Sequence, residues 1–374
     1  MLKKVLIANR GEIAVRIVRA CAEMGIRSVA IYTEPDRYGL HVKRADESYS
    51  LGDDPLAGYL DPARIVNLAV ETGCDAIHPG YGFLSENANF ARLCEQKGVA
   101  FIGPKSSVIH GMGDKTQARD SMRAAGIPIT PGSEGNLDSL EEALKLANDI
   151  GYPVMLKATS GGGGRGIRRC DTPQELKVQY PRVISEATKA FGSAEVFMEK
   201  CIVNPRHIEV QILADSQGNA IHLFERDCSI QRRNQKLIEI APSPQLTPEQ
   251  RQYIGDLAVR AAKAVGYENA GTVEFLLSGN EVHFMEMNTR VQVEHTITEA
   301  ITGVDIVREQ LRIASGLPLS YRQEDIQYRG YALQFRINAE DPKNDFLPSF
   351  GRITHYYAPG GPGVRVDTAI YTGY

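Results

Sequence analysis

The sequence predicts a parallel α/β domain followed by an α+β region with mostly antiparallel strands. Over residues 1–110, short apolar runs alternate with helical patterns, which is typical of a doubly wound parallel sheet. Over residues 203–320, successive strand patterns precede the helical ones, which favours antiparallel pairing. The 374 residues suffice for two or three packed subdomains, and the 43% hydrophobic content suffices for a sizeable core.

The first region opens on an apolar strand, followed by Asn9-Arg10-Gly11-Glu12 and an amphipathic helix. This junction lacks the GxGxxG pattern of dinucleotide-binding folds, so we expect a Rossmann-like domain that does not bind NAD. The predicted strands of the region are Val5–Ala8, Val29–Tyr32, Asp75–His78 and Ala100–Ile102, and its predicted helices are Ile13–Ala22, Ala63–Glu71 and Ala88–Lys97.

The sequence pattern changes at Ile127-Pro128-Ile129-Thr130-Pro131-Gly132, which indicates a domain boundary. Residues 130–200 are then expected to form a small α+β unit, about the size of a lid. Beyond residue 330, short strands rich in glycine and proline are expected to continue to Tyr374. The predicted elements between these points are helix Leu140–Ile150, strands Val154–Lys157 and Ile167–Cys170, a helix from Pro173 to about Ala190, and strands Val196–Lys200, Glu209–Ala214, Ala220–Asp227, Thr272–Leu277 and Glu281–Met287, followed by helices.

Charge and composition exclude several classes of protein. The net charge is −4, and the sequence contains no long run of like charges. Charge therefore gives no reason to expect nucleic acid or a membrane as a partner. No apolar stretch approaches the ~18 residues of a membrane span. The six cysteines show no CxxC pair and no metal-like spacing, so we expect reduced thiols in a cytoplasmic protein.

A glycine-rich loop, Ser160-Gly161-Gly162-Gly163-Gly164-Arg165-Gly166, lies between two predicted strands. Consecutive glycines let backbone amides approach a phosphate closely, although the same run could be no more than a hairpin tip. Lys157, at the end of the preceding strand, favours a phosphate site because it adds a cation beside the loop. The GxxxxGK[ST] pattern is absent, so this is not a P-loop.

A second polar constellation begins at Glu286. If the chain stays extended, alternate side chains share one face, and that face carries Glu286, Asn288, Arg290, Gln292 and Glu294. A three-residue turn at 279–281 would place Glu274 of the preceding strand opposite Glu286. Like charges directly opposite destabilise a strand pair by roughly 0.2–1 kcal/mol, so the pairing makes sense if a divalent cation binds both carboxylates and the Asn288 oxygen. The alternative is the solvated outer face of an amphipathic hairpin.

With these residues identified, the chain resembles the biotin carboxylase family from Lys3 to Tyr374. The resemblance depends on several separate motifs, whose joint occurrence by chance is negligible. They are Ile7-Ala8-Asn9-Arg10-Gly11-Glu12-Ile13-Ala14, His78-Pro79-Gly80-Tyr81-Gly82-Phe83-Leu84-Ser85-Glu86-Asn87, Met112-Gly113-Asp114-Lys115, Lys157 with the glycine loop, Glu225-Arg226-Asp227-Cys228-Ser229-Ile230-Gln231-Arg232-Arg233, residues 286–295, and Arg336-Ile337-Asn338-Ala339-Glu340-Asp341.

The resemblance implies an ATP-grasp fold in three parts. Residues 1–112 would be the N-terminal Rossmann-like domain, and residues 113–320 the ATP-grasp domain, with a mobile lid at about 130–202. Residues 330–374 would begin a C-terminal antiparallel-sheet domain that is incomplete at Tyr374.

The resemblance also implies a role for each site residue. Arg290, Glu294, Arg336 and Lys236 would be catalytic, with Glu294 as general base and Arg336 stabilising the biotin enolate. Bicarbonate would be bound by Lys236, Arg290, Gln292 and the backbone of Val293, and Mg²⁺ or Mn²⁺ by Glu274, Glu286 and Asn288. ATP would be bound by Lys115, Lys157, Gly163, Gly164, Glu199, Lys200, Cys201, Ile202, His207, Gln231, Asn234, Glu274, Leu276 and Glu286.

Two residues and one segment bear on the subtype. Asn234 stands where many members have histidine, so no charged role is carried over to it. Together with Thr296 and the segment Leu237-Ile238-Glu239-Ile240-Ala241-Pro242-Ser243, it makes the chain similar to the biotin carboxylase subunit of two-subunit pyruvate carboxylases. The sequence contains no Met-Lys-Met biotin-attachment motif, so biotin would be carried by a separate carboxyl carrier or carboxyltransferase subunit. We also expect a homodimer, and the alternative subtype is a component of acetyl-CoA or another acyl-CoA carboxylase.

Two rival functions are open at this point. Another ATP-grasp ligase, such as a carboxylate–amine ligase, would share the ATP residues but would have no joint use for Arg290, Glu294 and Arg336. A nucleotide-binding assembly subunit would bind ATP tightly without turning it over.

Overall fold

The computed structural model of the protein describes residues 1–159, 166–192 and 194–374. The predicted phosphate contacts of Gly163 and Gly164 lie outside the described residues. Within them, the predicted division into a parallel first region and a mostly antiparallel later region is confirmed.

Five short parallel strands form the first sheet. They are β1 (Lys4–Ile7), β2 (Arg27–Tyr32), β3 (Glu47–Ser50), β4 (Ala76–His78) and β5 (Ala100–Phe101), with helices α1 (Gly11–Glu23), α2 (Leu40–Arg44), α3 (Pro62–Glu71) and α4 (Ala88–Lys97). The order β3-β2-β1-β4-β5 places the most apolar strand at the centre, and apolar side chains pack on both faces. The edge strand β3 escaped prediction because Glu-Ser-Tyr-Ser offers no apolar run.

Two sequence motifs meet at the carboxyl ends of β1 and β4. The Asn9 side-chain amide donates to the carbonyls of Pro79 at 2.7 Å and Tyr81 at 2.8 Å. A Cβ on Gly80 would lie 2.9 Å from that amide nitrogen, and the φ of +63° there also favours glycine. The packing fixes the start of the loop that carries Glu86 toward the rest of the molecule.

The lid is a separate small layer with its own core. Helices α5 (Ser106–Gly113) and α6 (Lys115–Ala124) lead to it. It contains α7 (Leu140–Ile150), β6 (Val154–Ala158), β7 (Ile167–Cys170), α8 (Pro173–Phe191) and β8 (Val196–Lys200). The strands pair antiparallel in the order β7-β6-β8 over a core that includes Leu156, Val183 and Met198. The predicted elements of the lid are confirmed to within a residue.

The largest sheet is antiparallel and has six strands. Its elements and the helices that accompany it are β9 (Arg206–Ala214), β10 (Ala220–Arg232), β11 (Gln235–Ala241), α9 (Pro248–Ala264), β12 (Asn269–Ser278), β13 (Glu281–Asn288), α10 (His295–Thr302), α11 (Ile306–Ala314) and β14 (Ala332–Phe335). The strand order is β13-β12-β9-β10-β11-β14. One face packs its apolar side chains against α6 and α9. The other face carries polar side chains such as Glu209 and Gln211 beside apolar ones such as Leu213, which join the core of the N-terminal region.

The C-terminal segment is less regular than predicted. After β14 come the two-residue strands β15 (Glu340–Asp341) and β16 (Leu347–Pro348), which pair with each other. The predicted continuation of strands to Tyr374 is wrong, because residues 349–374, all of them described, contain turns and irregular chain but no strand. Glycine and proline between 358 and 363 explain this, since proline cannot donate to a ladder and glycine favours turns.

Across the described ranges, no helix is both long enough and apolar enough to cross a membrane. The six cysteines are all described, and each is buried and unpaired, as the sequence predicted.

Candidate active site

One row of charged side chains crosses four neighbouring strands of the large sheet. Glu286 on β13 is opposite Glu274 on β12, which is opposite Glu209 on β9, which is opposite Arg226 on β10. Glu274, Glu209 and Arg226 are buried, whereas Glu286 is exposed. Side chains opposite each other share one face, with Cβ atoms about 4.5–5.5 Å apart. The row therefore concentrates three carboxylates, which cations must balance.

Lys236 on β11 is the central cation of this group. Its ammonium contacts Glu209 and lies 2.8 Å from both Glu274 Oε1 and Glu294 Oε1. Burial alone would lower the pKa of Lys236, but the three carboxylates outweigh it and raise that pKa above its usual value. Burial would likewise raise the pKa of Glu274, but Lys236 and His207 hold it below its usual value. At neutral pH, Lys236 is therefore protonated and Glu274 ionised.

Glu294 lies between two cations. Its Oε1 accepts from Lys236, and its Oε2 accepts from Arg336 Nη2 at 2.9 Å. Arg336 Nε donates to the buried Glu239 at 2.6 Å. The pairing of β14 with β11 brings Arg336 here, since its backbone N–H donates to the carbonyl of Leu237 at 3.0 Å. Both oxygens of Glu294 are thus held in defined directions.

Strand β13 ends at Asn288, one residue beyond the predicted end at Met287, so the extended chain through residue 294 that a single shared face would need is not present. The backbone N–H of His295 donates to the carbonyl of Gln292 at 3.2 Å, and His295 Nδ1 lies 2.8 Å from the same oxygen. These local bonds close a turn that leads directly into α10. The turn still brings Gln292 to the charged row, where its Nε2 donates to Glu274 Oε1 at 2.9 Å.

Arg290 connects the large sheet to the N-terminal domain. Its Nε donates to Glu86 Oε2 at 2.9 Å, and its Nη2 donates to Asn288 Oδ1 at 3.0 Å. Arg290 and Val293 are half-buried, so part of each remains accessible. A bicarbonate contact by Arg290 would share the guanidinium with Glu86.

Of the three predicted metal ligands, Glu274 and Asn288 are in contact, and Glu286 lies opposite Glu274 in the strand pairing, although through a different turn. The hairpin turn has two residues, 279–280, and a bulge beside Glu274 restores the register that places it opposite Glu286. Asn288 Nδ2 donates to Glu274 Oε1 at 2.9 Å. The Glu286 side chain is partly open to solvent, but the protein around its carboxyl group displaces water and raises its pKa. The nearby carboxylates of Glu274 and Glu86 raise that pKa further. Two carboxylates and an amide oxygen are donors that suit Mg²⁺.

A histidine-centred group adjoins this row. His207 Nε2 lies 2.7 Å from Glu274 Oε2, and its Nδ1 lies 3.1 Å from Gln231 Nε2. Burial would lower the pKa of His207, but Glu274 outweighs it and raises that pKa. Leu276 is opposite His207 in the strand pairing and is half-buried. Four of the predicted nucleotide-binding residues, His207, Glu274, Gln231 and Leu276, are thus neighbours.

Asn234 is exposed at the turn between β10 and β11. Arg233 and Asn234 have φ values of 52° and 62°. Positive φ at both central residues is typical of a type I′ hairpin turn, for which asparagine is among the favoured residues. Turn geometry therefore explains asparagine here, and nucleotide binding by Asn234 stays a prediction.

Charged residues of the lid and α6 form a second cluster. Glu199 on β8 forms ion pairs with Lys157 on β6 and with Arg119 on α6, so its carboxylate ties the lid to the preceding helix. Lys115 begins α6. Burial lowers the pKa of Lys115, with Glu286 opposing that effect and Lys157 adding to it. The charges of Lys115 and Lys157 thus influence each other, and phosphate binding by these two lysines stays a prediction.

Lys200, which follows Glu199, forms its side-chain hydrogen bonds within the lid. Lys200 Nζ donates to the carbonyls of Gly151 at 2.8 Å and Tyr152 at 2.9 Å. Cys201 is buried and Ile202 is half-buried. The predicted contribution of residues 200–202 to an adenine site stays a prediction.

Sequence reasoning assigned no role to three buried residues of the site, Glu209, Arg226 and Glu239. Glu209 had a detectable signal, because it alternates with the core residues Ile208 and Val210, and an unpaired carboxylate is seldom fully buried. Glu239 lies between Ile238 and Ile240 and carries the same signal, whereas Arg226 gave none, because its partners come from distant parts of the chain.

Family models match three consecutive parts of the chain. Residues 1–109 match the biotin carboxylase N-terminal domain, and residues 334–374 match the biotin carboxylase C-terminal domain. Residues 114–322 match the ATP-binding domain of the carbamoyl-phosphate synthase L chain. Together with the lid and the charged row, these matches define an ATP-grasp ligase.

Two relatives and a solved structure narrow the class. The 2-oxoglutarate carboxylase small subunit of Hydrogenobacter thermophilus is 59% identical over 376 residues, covering 100% of this chain and 79% of the relative. One pyruvate carboxylase subunit of Methanothermobacter thermautotrophicus is 53% identical over 375 residues, covering 100% and 76%. The biotin carboxylase domain dimer of the Hydrogenobacter enzyme, crystallised with MgADP, ADP and bicarbonate, matches with a TM-score of 0.95 at 59% identity, covering 100% of this chain and 83% of that one. The chain therefore belongs to the biotin carboxylase family of ATP-dependent ligases.

Proposed function

We propose that this protein is the biotin carboxylase component of a pyruvate carboxylase and uses ATP to fix bicarbonate onto biotin held by a separate carrier subunit. One observation carries the proposal. Lys236 is held among Glu209, Glu274 and Glu294, while Arg336 contacts the other oxygen of Glu294. An anion-binding cation and a carboxylate base thus lie side by side, next to the predicted metal ligands.

ATP would bind between the lid and the large sheet. Lys115 and Lys157 would supply the positive charge that a transferring phosphoryl group needs. Glu274, Glu286 and Asn288 would hold Mg²⁺ or Mn²⁺, which neutralises phosphate charge when bound. Gly163 and Gly164 would close over the phosphates as the lid moves. The remaining predicted nucleotide contacts are Glu199, Lys200, Cys201, Ile202, His207, Gln231, Asn234 and Leu276.

Bicarbonate would bind at Lys236, with Gln292, Arg290 and the backbone N–H of Val293 completing its site. An oxygen of bicarbonate attacks the γ-phosphorus of ATP, ADP leaves, and carboxyphosphate forms. Glu294 accepts the remaining bicarbonate proton, because a positioned carboxylate beside the bound anion can act as a general base.

Biotin would approach Arg336. Its ureido nitrogen is a weak nucleophile until it loses its proton, and the cation stabilises the oxyanion that results. Carboxyphosphate releases phosphate, which accepts the ureido proton, and the nitrogen then bonds to the carboxyl carbon. The pairing of Arg336 with Glu239 and Glu294 supports this role, since both contacts fix the guanidinium beside the proposed base.

The final acceptor of the carboxyl group is proposed to be pyruvate. Support comes from Thr296 and Asn234, which are typical of two-subunit pyruvate carboxylases, and from the pyruvate carboxylase relative. Thr296 also contacts Gln334 on β14, which ties the subtype residue to the strand that precedes Arg336. The 2-oxoglutarate carboxylase relative favours 2-oxoglutarate as a second candidate.

The partners are proposed on the same basis. A biotin carboxyl carrier or carboxyltransferase subunit would present biotin, and two copies of this chain would form a dimer, as in the crystallised relative. The domain limits would be 1–112, 113–320 and 330 onward, with hinges near Pro131-Gly132 and Asn204-Pro205 for the lid.

The acceptor can be tested with the protein isolated together with its natural partner subunit. Radiolabelled bicarbonate and ATP are supplied with pyruvate, 2-oxoglutarate or acetyl-CoA, and acid-stable label is counted. We expect incorporation with pyruvate. Label that appears only with 2-oxoglutarate or only with acetyl-CoA would contradict the proposed subtype.

A further inference from the structure

Arg226 is a cation beneath the proposed bicarbonate site. It is fully buried, and its guanidinium makes five side-chain hydrogen bonds, which matches the five N–H groups it possesses. Its acceptors, which come from β9, β12, α10 and the turn before α10, are Glu209 Oε1 at 2.5 Å, Gln211 Oε1 at 2.8 Å, Thr298 Oγ1 at 2.9 Å, Thr272 Oγ1 at 3.2 Å and Gln292 Oε1 at 2.8 Å. With five defined contacts, the guanidinium has one orientation.

The contact with Gln292 sets the direction of that amide. A guanidinium can only donate, so the oxygen of the amide must face Arg226. The NH₂ group consequently points to Glu274, to which it donates at 2.9 Å. A rotation of the amide by 180° would place two donors against each other and lose both bonds. Arg226 therefore decides which end of Gln292 faces the charged row.

The contact with Glu209 affects Lys236 in a similar way. One oxygen of Glu209 accepts from Arg226, and the other accepts from Lys236. Since Glu209 is fully buried, its position depends on these two cations. Arg226 thus fixes the carboxylate that, with Glu274 and Glu294, holds the Lys236 ammonium in place.

We propose that Arg226 is a positioning residue of the bicarbonate site, which acts through the amide of Gln292 and through Glu209 on Lys236. This inference rests on the proposed function. Within the described part of the chain, none of the five side chains that Arg226 contacts is a predicted ATP ligand. Arg226 reaches the ATP ligand Glu274 only indirectly, through Gln292 or Lys236, and Glu274 has further contacts with Asn288 and His207. A change at Arg226 should therefore affect bicarbonate more than ATP.

The test is bicarbonate-dependent ATP hydrolysis by the intact protein and its Arg226→Lys variant. Lysine keeps the charge but cannot hold Glu209 and Gln292 in the same planar fork. Since charge-assisted bonds are lost, we expect the KM for bicarbonate to rise by about tenfold or more, while the KM for ATP changes by less than about twofold. Arg251→Lys is the matched control, because Arg251 is also largely buried and pairs with Glu225 at 2.9 Å. It should leave both KM values unchanged.

A second variant keeps the test decisive if Arg226→Lys does not fold. Arg226 Nη2 donates to both Thr272 Oγ1 and Gln292 Oε1. Thr272→Val is nearly isosteric and removes the first of these two acceptors. It should raise the KM for bicarbonate in the same direction, to a smaller extent, without changing that for ATP. Unchanged bicarbonate KM values, or equal increases in both KM values, would overturn the role of Arg226. Bicarbonate-independent hydrolysis by the unaltered protein would instead refute the proposed function, and the inference with it.

Discussion

At the scale of single residues, the site depends on which cation neutralises which carboxylate. Lys236 contacts Glu209, Glu274 and Glu294, and a buried ion left without its partner costs several kcal/mol. Arg336 adds a second contact to Glu294. The charges are therefore interdependent, and replacements that keep shape while removing charge are the informative ones.

Glu294→Gln keeps the size of the side chain but removes its capacity to accept a proton. We expect bicarbonate-dependent turnover to fall by about 10²–10⁴-fold, because a positioned base typically contributes that much. ATP and Mg²⁺ binding, measured by calorimetry, should be retained. Near-normal turnover of the variant in the intact protein would show that Glu294 is not the base.

Glu286→Gln tests the predicted metal site. Removing one carboxylate ligand should raise the Mg²⁺ concentration required for half-maximal ATP hydrolysis by about tenfold or more. Nucleotide binding in the absence of metal should change little. Glu281→Gln is the control, because Glu281 lies on the same strand and is exposed. An equal Mg²⁺ requirement in both variants would count against the site.

His78 should make stability depend on pH. It is fully buried, its Nδ1 accepts from the Gly80 N–H at 3.0 Å, and burial lowers its pKa from 6.5 to about 3. Between those values the unfolded chain binds a proton that the folded one does not, so stability is complete above pH 6.5 and is lost as the pH falls.

His78→Asn retains an acceptor for Gly80 but does not titrate. Unfolding in urea at pH 7.5 and pH 5.5 should show that the variant loses about 1.4 kcal/mol less stability over this interval than the unaltered protein. Equal losses in the two proteins would mean that His78 does not contribute to the pH dependence.

At the scale of elements, the hairpin of β12 and β13 shows how far sequence patterns reach. Alternation and turn composition predicted that Glu274 faces Glu286, and this register is confirmed. The length of the turn and the bulge were not predicted, because two compensating one-residue changes leave no trace in the alternation. The end of this strand was predicted to within one residue, but the turn that follows it was not, since that turn depends on contacts made by His295 that alternation does not encode.

Helix α9 begins with a capping box. Thr247 Oγ1 accepts from the backbone N–H of Gln250 at 3.2 Å, and Gln250 Oε1 accepts from the N–H of Thr247 at 3.1 Å. Thr247→Ala should lower the free energy of unfolding by about 1 kcal/mol, whereas Thr247→Ser keeps the cap and should cost little. Chemical denaturation measures both. Equal stability of the alanine and serine variants would contradict a role for the cap.

At the scale of the whole molecule, the sequence predicted the succession of sheets better than their contacts. Apolar periodicity sufficed for the lid and for the strands of the first sheet other than β3, which has no apolar run. The joining of β14 to β11 and the salt bridge from Arg290 to Glu86 link residues 91 to 204 positions apart, so no local pattern could reveal them. Those contacts assemble the site, which explains why residues in recognisable motifs were found and their buried partners were not.

The central claim is that this protein couples ATP hydrolysis to the carboxylation of biotin. The most direct measurement is phosphate release by the intact protein with Mg²⁺ and ATP, with and without bicarbonate and free biotin. We predict release that requires bicarbonate and increases when biotin is added. Release that is independent of bicarbonate, or that is stimulated by an amine and not by biotin, would contradict the claim and indicate a different ATP-grasp ligase.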